Sequence, residues 1–173
     1  MLLMQMKKFL AILLLSSPFP VFACYAPPAQ QLVPPDELIA RTQNIVLARA
    51  IRGEAKEDDY EVSYTFRTIK ILKGSALDTF EIMGRPAIFE GWNENFDHHF
   101  HKDFWSVSAG RLSNEPDCRI HPVFSVGGTY LMFLDQPYHR KSFEIILRPE
   151  GEADIRDKWL QYVESRVKHW SSP

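Results

Sequence analysis

The stretch YEVSYTFRTIKILKG, residues 60–74, begins with a clean alternation that places Tyr60, Val62, Tyr64 and Phe66 on one parity. A period of two built from β-branched and aromatic side chains marks a strand. Beyond Phe66 the apolar positions move to Ile69 and Ile71, on the other parity. A one-residue slip turns every side chain to the opposite face of a sheet, so the two halves fit one strand only if an extra residue is accommodated between them. The sequence therefore predicts a long strand with a bulge near Thr68.

Strand signals continue on both sides of this segment. NIVLARAI (44–51) is rich in β-branched residues and runs into RGEAKEDD (52–59), which reads as a charged turn. TFEIM (79–83), GTYLMFL (128–134) and SFEIIL (142–147) complete five expected strands, with Gly127 and Gly128 suited to a tight turn or bulge ahead of the fourth. PPDELIARTQ (34–43) predicts a short helix with prolines in its first turn. EADIRDKWLQYVESRVKHW (152–170) carries apolar residues at Ile155, Trp159, Leu160, Val163, Val167 and Trp170, the stripe of an amphipathic helix with one face on the sheet. That stripe predicts burial of both Trp159 and Trp170. Residues 84–124 are aromatic and histidine-rich with little periodicity, the character of a long functional loop.

The N-terminus reads as an export signal: Lys7 and Lys8 precede the apolar run Phe9 to Leu15, and Val21 and Ala23 fit the small-x-small pattern before a cleavage point. Removal of residues 1–23 leaves 150 of the 173 residues, residues 24–173, as one expected domain in the periplasm or outside the cell. The signal takes two lysines with it, so 20 basic and 22 acidic residues become 18 and 22, a formal charge of −4. That balance gives no electrostatic basis for binding nucleic acid or an anionic membrane, and no apolar run reaches the ~20 residues that span a bilayer.

Only two cysteines are present, Cys24 and Cys118, and export places both in an oxidising compartment. A Cys24–Cys118 disulfide is the expected state; in the chain-entropy model a loop of that length stabilises by roughly 3 to 5 kcal/mol. The competing reading is a lipid anchor on Cys24, which would strand Cys118 as a free thiol. The other chemical signal is DHHFHKD, with Asp97, His98, His99, His101 and Asp103 within seven residues. Imidazoles and carboxylates at this spacing suit zinc or copper. In an extended segment His99 and His101 would share a face with Asp97 and Asp103. The competing reading is a polar surface loop anchored by Phe96, Phe100, Phe104 and Trp105, with solvated histidines. The sequence contains no H-E-x-x-H helix, G-x-S-x-G elbow or phosphate-binding loop.

Taken in order, CYAPP from Cys24, the strand NIVLARAI, a strand ending FRTIKILKG, the cysteine at 118 and VGGTYLMFL resemble the netrin-like module, and within it the N-terminal domain of tissue inhibitors of metalloproteinases. The resemblance spans about Cys24 to Leu134. It implies an OB-fold, a five-stranded Greek-key barrel, here with a short N-terminal helix and a C-terminal amphipathic helix. It also implies that a disulfide-bonded mature N-terminal Cys24 presents its amine and carbonyl to the catalytic zinc of a target protease, with Tyr25 and Ala26 completing the inhibitory edge. Ala26 stands where that family has a second cysteine, so this edge would be less preorganised and bind more weakly for the same contacts. The expected function is a non-enzymatic binding domain for another protein, possessing no required cofactor. The alternative is a metal-binding protein or metal-dependent hydrolase built on His98, His99 and His101.

Overall fold

The computed structural model of the chain describes residues 26–56, 60–86, 99–147 and 157–171. The elements in chain order are helix α1 (Pro35–Arg41), strands β1 (Ile45–Ala55), β2 (Val62–Lys73), β3 (Thr79–Gly84), β4 (Thr129–Phe133) and β5 (Phe143–Leu147), and helix α2 (Lys158–Ser171). Short 3-10 turns lie at Ala29–Gln31 and Lys102–Trp105.

Local chemistry explains the helix boundaries. Pro35 opens α1, where its missing N–H would have no helical partner, Asp36 and Glu37 sit in the positive first turn, and Arg41 sits in the last. Asp157 precedes α2 and its Oδ1 accepts the Leu160 N–H at 2.8 Å, a side-chain N-cap.

The five strands form one antiparallel sheet in the order β3-β2-β1-β4-β5. The bulge expected near Thr68 is present: Leu47 pairs with Lys70 while Ala48 pairs with Thr68, so Ile69 is the extra residue on β2. Past it, Ile71 faces Val46 and so returns to the face of Val62, Tyr64 and Phe66. Residues 57–59 of the expected charged turn lie outside the described residues, and residues 52–55 do not form a turn. They continue β1, exposed, because they pair with residues 62–65 of β2.

The sheet does not close into a barrel. Among the described residues β3 and β5 are not paired, and the irregular segment 109–124 bonds to the start of β5, where Arg111 Nε donates to Phe143 O at 3.0 Å. Its Leu112, Ile120 and Phe124 join the core formed by Val46, Ala48, Phe66 and Tyr130, with Phe124 meeting the rings of Tyr64, Phe66, Tyr130 and Phe143 at 4.8 to 5.3 Å. The segment also bonds to the end of β3, where Arg85 N donates to Pro122 O at 2.9 Å. A Cβ on Gly84 would come within 2.1 Å of that same carbonyl, so only glycine permits this approach. Gly127 (φ 94°) makes the turn into β4.

A second core covers the other face. Ile45, Leu47, Leu131 and Phe133 pack under α1 and α2 through Leu38, Ile39, Trp159, Leu160, Val163 and Val167. Trp159 is fully buried, stacked on Phe133 and Tyr162. Trp170 departs from the expected stripe: it is 45% exposed in the last turn of α2. Ile155 lies outside the described residues. No helix among the described residues is long and apolar enough to cross a membrane.

This difference predicts that Trp159→Ala costs about 3–5 kcal/mol and Trp170→Ala less than about 1 kcal/mol in urea denaturation. Equal losses would mean that both rings are core.

Candidate functional site

Two places collect the residues singled out in the sequence. The first surrounds Cys118, which occupies a tight turn with φ 64°, a left-handed conformation uncommon outside glycine. Its amide donates to Glu115 O at 2.9 Å, and Arg119 N closes the turn on Asp117 Oδ1 at 2.9 Å. The buried Gln31 donates from Nε2 to Cys118 O at 3.1 Å, and Asn114 Nδ2 donates to the same carbonyl at 3.3 Å and to Gln31 Oε1. Arg85, just past β3, grips Glu115 with two N–H donors at 3.2 and 3.0 Å. His121 lies 3.0 Å from Asp117 and holds that carboxyl below its usual range. The turn is thus fixed from residue 31 on one side and from β3 on the other. Cys118 is not a free cysteine. Cys24 and Tyr25 lie outside the described residues; Ala26 is exposed.

The second place is the histidine segment. Asp97 and His98 lie outside the described residues. The remaining members do not share a face, because the chain turns at His99 and enters a 3-10 turn at Lys102 instead of staying extended. His99 is 0% exposed, whereas His101 and Asp103 are exposed, 3.8 Å apart. Among the described residues no group of three or more His, Cys, Asp or Glu is placed to hold a metal ion. Of the aromatic anchors, Phe104 is buried and Trp105 partly so, its indole N–H donating to His99 O at 3.1 Å; Phe100 is exposed beside Lys158.

His99 belongs to a buried charge network that the sequence reading missed. Its Nδ1 lies 2.5 Å from Asp157 Oδ2 and its Nε2 lies 3.4 Å from Glu144 Oε2. Burial alone would push the imidazole down, but the hydrogen bonds and charges of Asp157 and Glu144 outweigh it and hold the pKa at about 9. An imidazolium therefore joins the 99–105 segment, β5 and the first turn of α2. The other oxygen of Glu144 accepts the Arg111 amide at 2.7 Å. Arg111 also donates to Phe143 O and Val123 O, and its guanidinium lies 5.2 Å from the Tyr130 ring centroid.

Lys141 and His139 are buried nearby. The Lys141 ammonium donates to Ser106 O and Ala109 O at 2.7 Å each, and burial lowers its pKa to about 8 against the pull of Glu144. Burial, followed by the charges of Lys141 and Arg41, lowers His139 to about 3. Backbone N–H groups of Val33 and Lys141 point at its two ring nitrogens, at 3.3 and 3.0 Å, so a protonated ring would meet donors on both sides. The available signals were Glu144 inside the apolar run SFEIIL and Asp157 ahead of a helical stripe; their partner, His99, was not visible in either motif.

No protein-family model, curated protein or solved structure matches the chain.

The histidines tie stability to pH with opposite signs. The His99 pKa is raised above its unfolded value, so its contribution is complete below pH 6.5 and is lost as pH rises through about 9. Lys141 acts against this, because its burial penalty fades as pH rises from about 8 towards 10.5. His139 is depressed, so the unfolded chain takes up its proton first and stability falls from pH 6.5 towards 3, by about 1.4 kcal/mol per unit. NMR titration of the ring resonances is expected to give midpoints near 9 for His99 and below 4 for His139. Both rings titrating near 6.5 would contradict the buried network.

Proposed function

We propose that this protein is an exported, non-enzymatic binding domain of the netrin-like type, with the segment from Cys24 to Ala26 as the edge that meets another protein. The observation that carries this reading is the clasp of Gln31 and Asn114 on Cys118. It holds the chain, seven residues beyond Cys24, against the turn of a cysteine that is not free. A Cys24–Cys118 disulfide fits this arrangement and would fix the mature N-terminus on a turn already rigid from behind. The strand order also supports the reading: β1, β2 and β3 are sequential neighbours and β4 returns beside β1, the spatial order of a Greek key and of an OB-type sheet left open at one seam.

In its most specific form the partner is a zinc metalloprotease. An α-amino group with a pKa near ~7.7 deprotonates readily at a metal, and with the Cys24 carbonyl it offers two donors at one point. The disulfide would supply the orientation, which matters more here because Ala26 offers no second bridge.

The test starts with N-terminal sequencing and intact mass. An unmodified terminus at Cys24 is expected, with a gain of two hydrogens on reduction. An added alanine before Cys24, or acetylation of the amine, is then expected to abolish inhibition of zinc proteases while leaving the melting temperature unchanged, since neither change touches the Cys118 turn or the core. A lipid-blocked terminus, a start elsewhere, or a panel of zinc proteases untouched at micromolar concentration would defeat the inhibitor reading.

A further inference from the structure

Away from the N-terminal edge, the last turns of α1 and α2 and the end of β2 flank an open cleft of about 390 Å³ lined by Ala40, Lys73, Val167 and Trp170. This volume falls in the range of small-molecule sites, which are largely apolar with few polar groups. Three of the four described lining residues are apolar, and Trp170 is 45% exposed. Among the described lining residues the charged group is the Lys73 ammonium, which donates to Ile39 O at 2.8 Å and Ala40 O at 2.9 Å. An ammonium has three N–H donors, so one remains for a ligand. Burial pushes Lys73 below the ordinary lysine value, and Asp135 counters only from a distance; the Asp135 carboxylate is engaged instead by the amides of Gln43 and Asn44 at 2.6 and 3.3 Å. The cleft therefore holds a partly desolvated positive charge with no ion pair among the described residues.

We infer that this cleft binds a small apolar monocarboxylate, with the carboxylate on the Lys73 ammonium and the hydrocarbon body against Val167 and Trp170. The helix ends select the head group. Both α1 and α2 finish here, and their carbonyl ends oppose any anion, so the Lys73 ammonium has to outweigh them and a singly charged carboxylate is opposed less than a doubly charged phosphate or sulfate. Arg41 and Lys168 lie in the same last turns, and their charges favour approach of an anion. This inference is independent of the N-terminal edge and of any protease.

Titration of the purified protein with octanoate, followed on the Trp170 indole N–H resonance, tests it. Saturable shifts with a Kd of about 1 mM or below are expected for a ligand of this size. The uncharged 1-octanol is expected to bind about fivefold more weakly, the ratio for one partly screened ion pair. Lys73→Met should erase that preference. Because Lys73 also ties down α1, a second variant is needed that leaves it intact: Ala40→Trp, at an exposed position, should fill the cleft and abolish binding of both ligands while the protein stays folded. Octanol binding as tightly as octanoate, octanoate shifts that survive Ala40→Trp, or no saturable shift at all would overturn the inference.

Discussion

Strand β1 has almost no face left for water along its first half. Ile45, Val46, Leu47, Ala48 and Ala50 are all buried, Ile45 and Leu47 beneath the two helices, Val46, Ala48 and Ala50 within the core that the 109–124 segment completes. Antiparallel sheets commonly leave one side solvated and then show simple alternation. Here the central strand is apolar at consecutive positions, and both covers follow from it. The helices must present Leu38, Ile39, Trp159 and Val163 on one side, and an irregular segment must present Leu112, Ile120 and Phe124 on the other.

Using an irregular segment as a cover creates the buried charges. Backbone carbonyls outside helices and sheets need donors once water is excluded. Lys141 supplies them to Ser106 and Ala109, and Arg111 supplies one to Val123 while also bonding the Phe143 carbonyl at the start of β5. Two buried cations require a buried anion, and Glu144 is the fully buried carboxylate beside them. Its remaining oxygen faces His99, whose charge Asp157 shares. Removing one member of such a set leaves an uncompensated charge in the core, which explains why the set connects segments so far apart in the chain.

The parts of the fold legible in the sequence are those whose signal is local. The parity change between Phe66 and Ile69 contains its own explanation, and the bulge falls within one residue of the expected place. The charged run at 52–55 misleads because its strand conformation is imposed by pairing with β2, not by its composition. The closed barrel fails for a similar reason: nothing in TFEIM or SFEIIL reveals that the 109–124 segment will bond to the ends of these strands while the strands do not pair with each other. In the histidine segment, spacing suggests a shared metal face. The partner that claims His99 is Asp157, 58 residues away, and that separation leaves no trace in a motif of seven residues.

Strongly shifted titratable groups often mark catalytic sites, and here that inference runs into geometry. His99, His139 and Lys141 carry the largest shifts, and each is fully buried with partners from the protein's own backbone or carboxylates. A substrate could reach them only by opening the core that they hold together. Their shifts are therefore the mark of a structural lock, and the proposed recognition surfaces are braced by it. The Cys118 turn and the α1–α2 cleft both have this character: each presents exposed groups on a backing fixed by contacts from distant parts of the chain, through Gln31 and Arg85 in one case and Lys73 in the other. A surface fixed before its partner arrives loses less conformational freedom on binding, so a domain of this size can bind through a small contact without adding to its core.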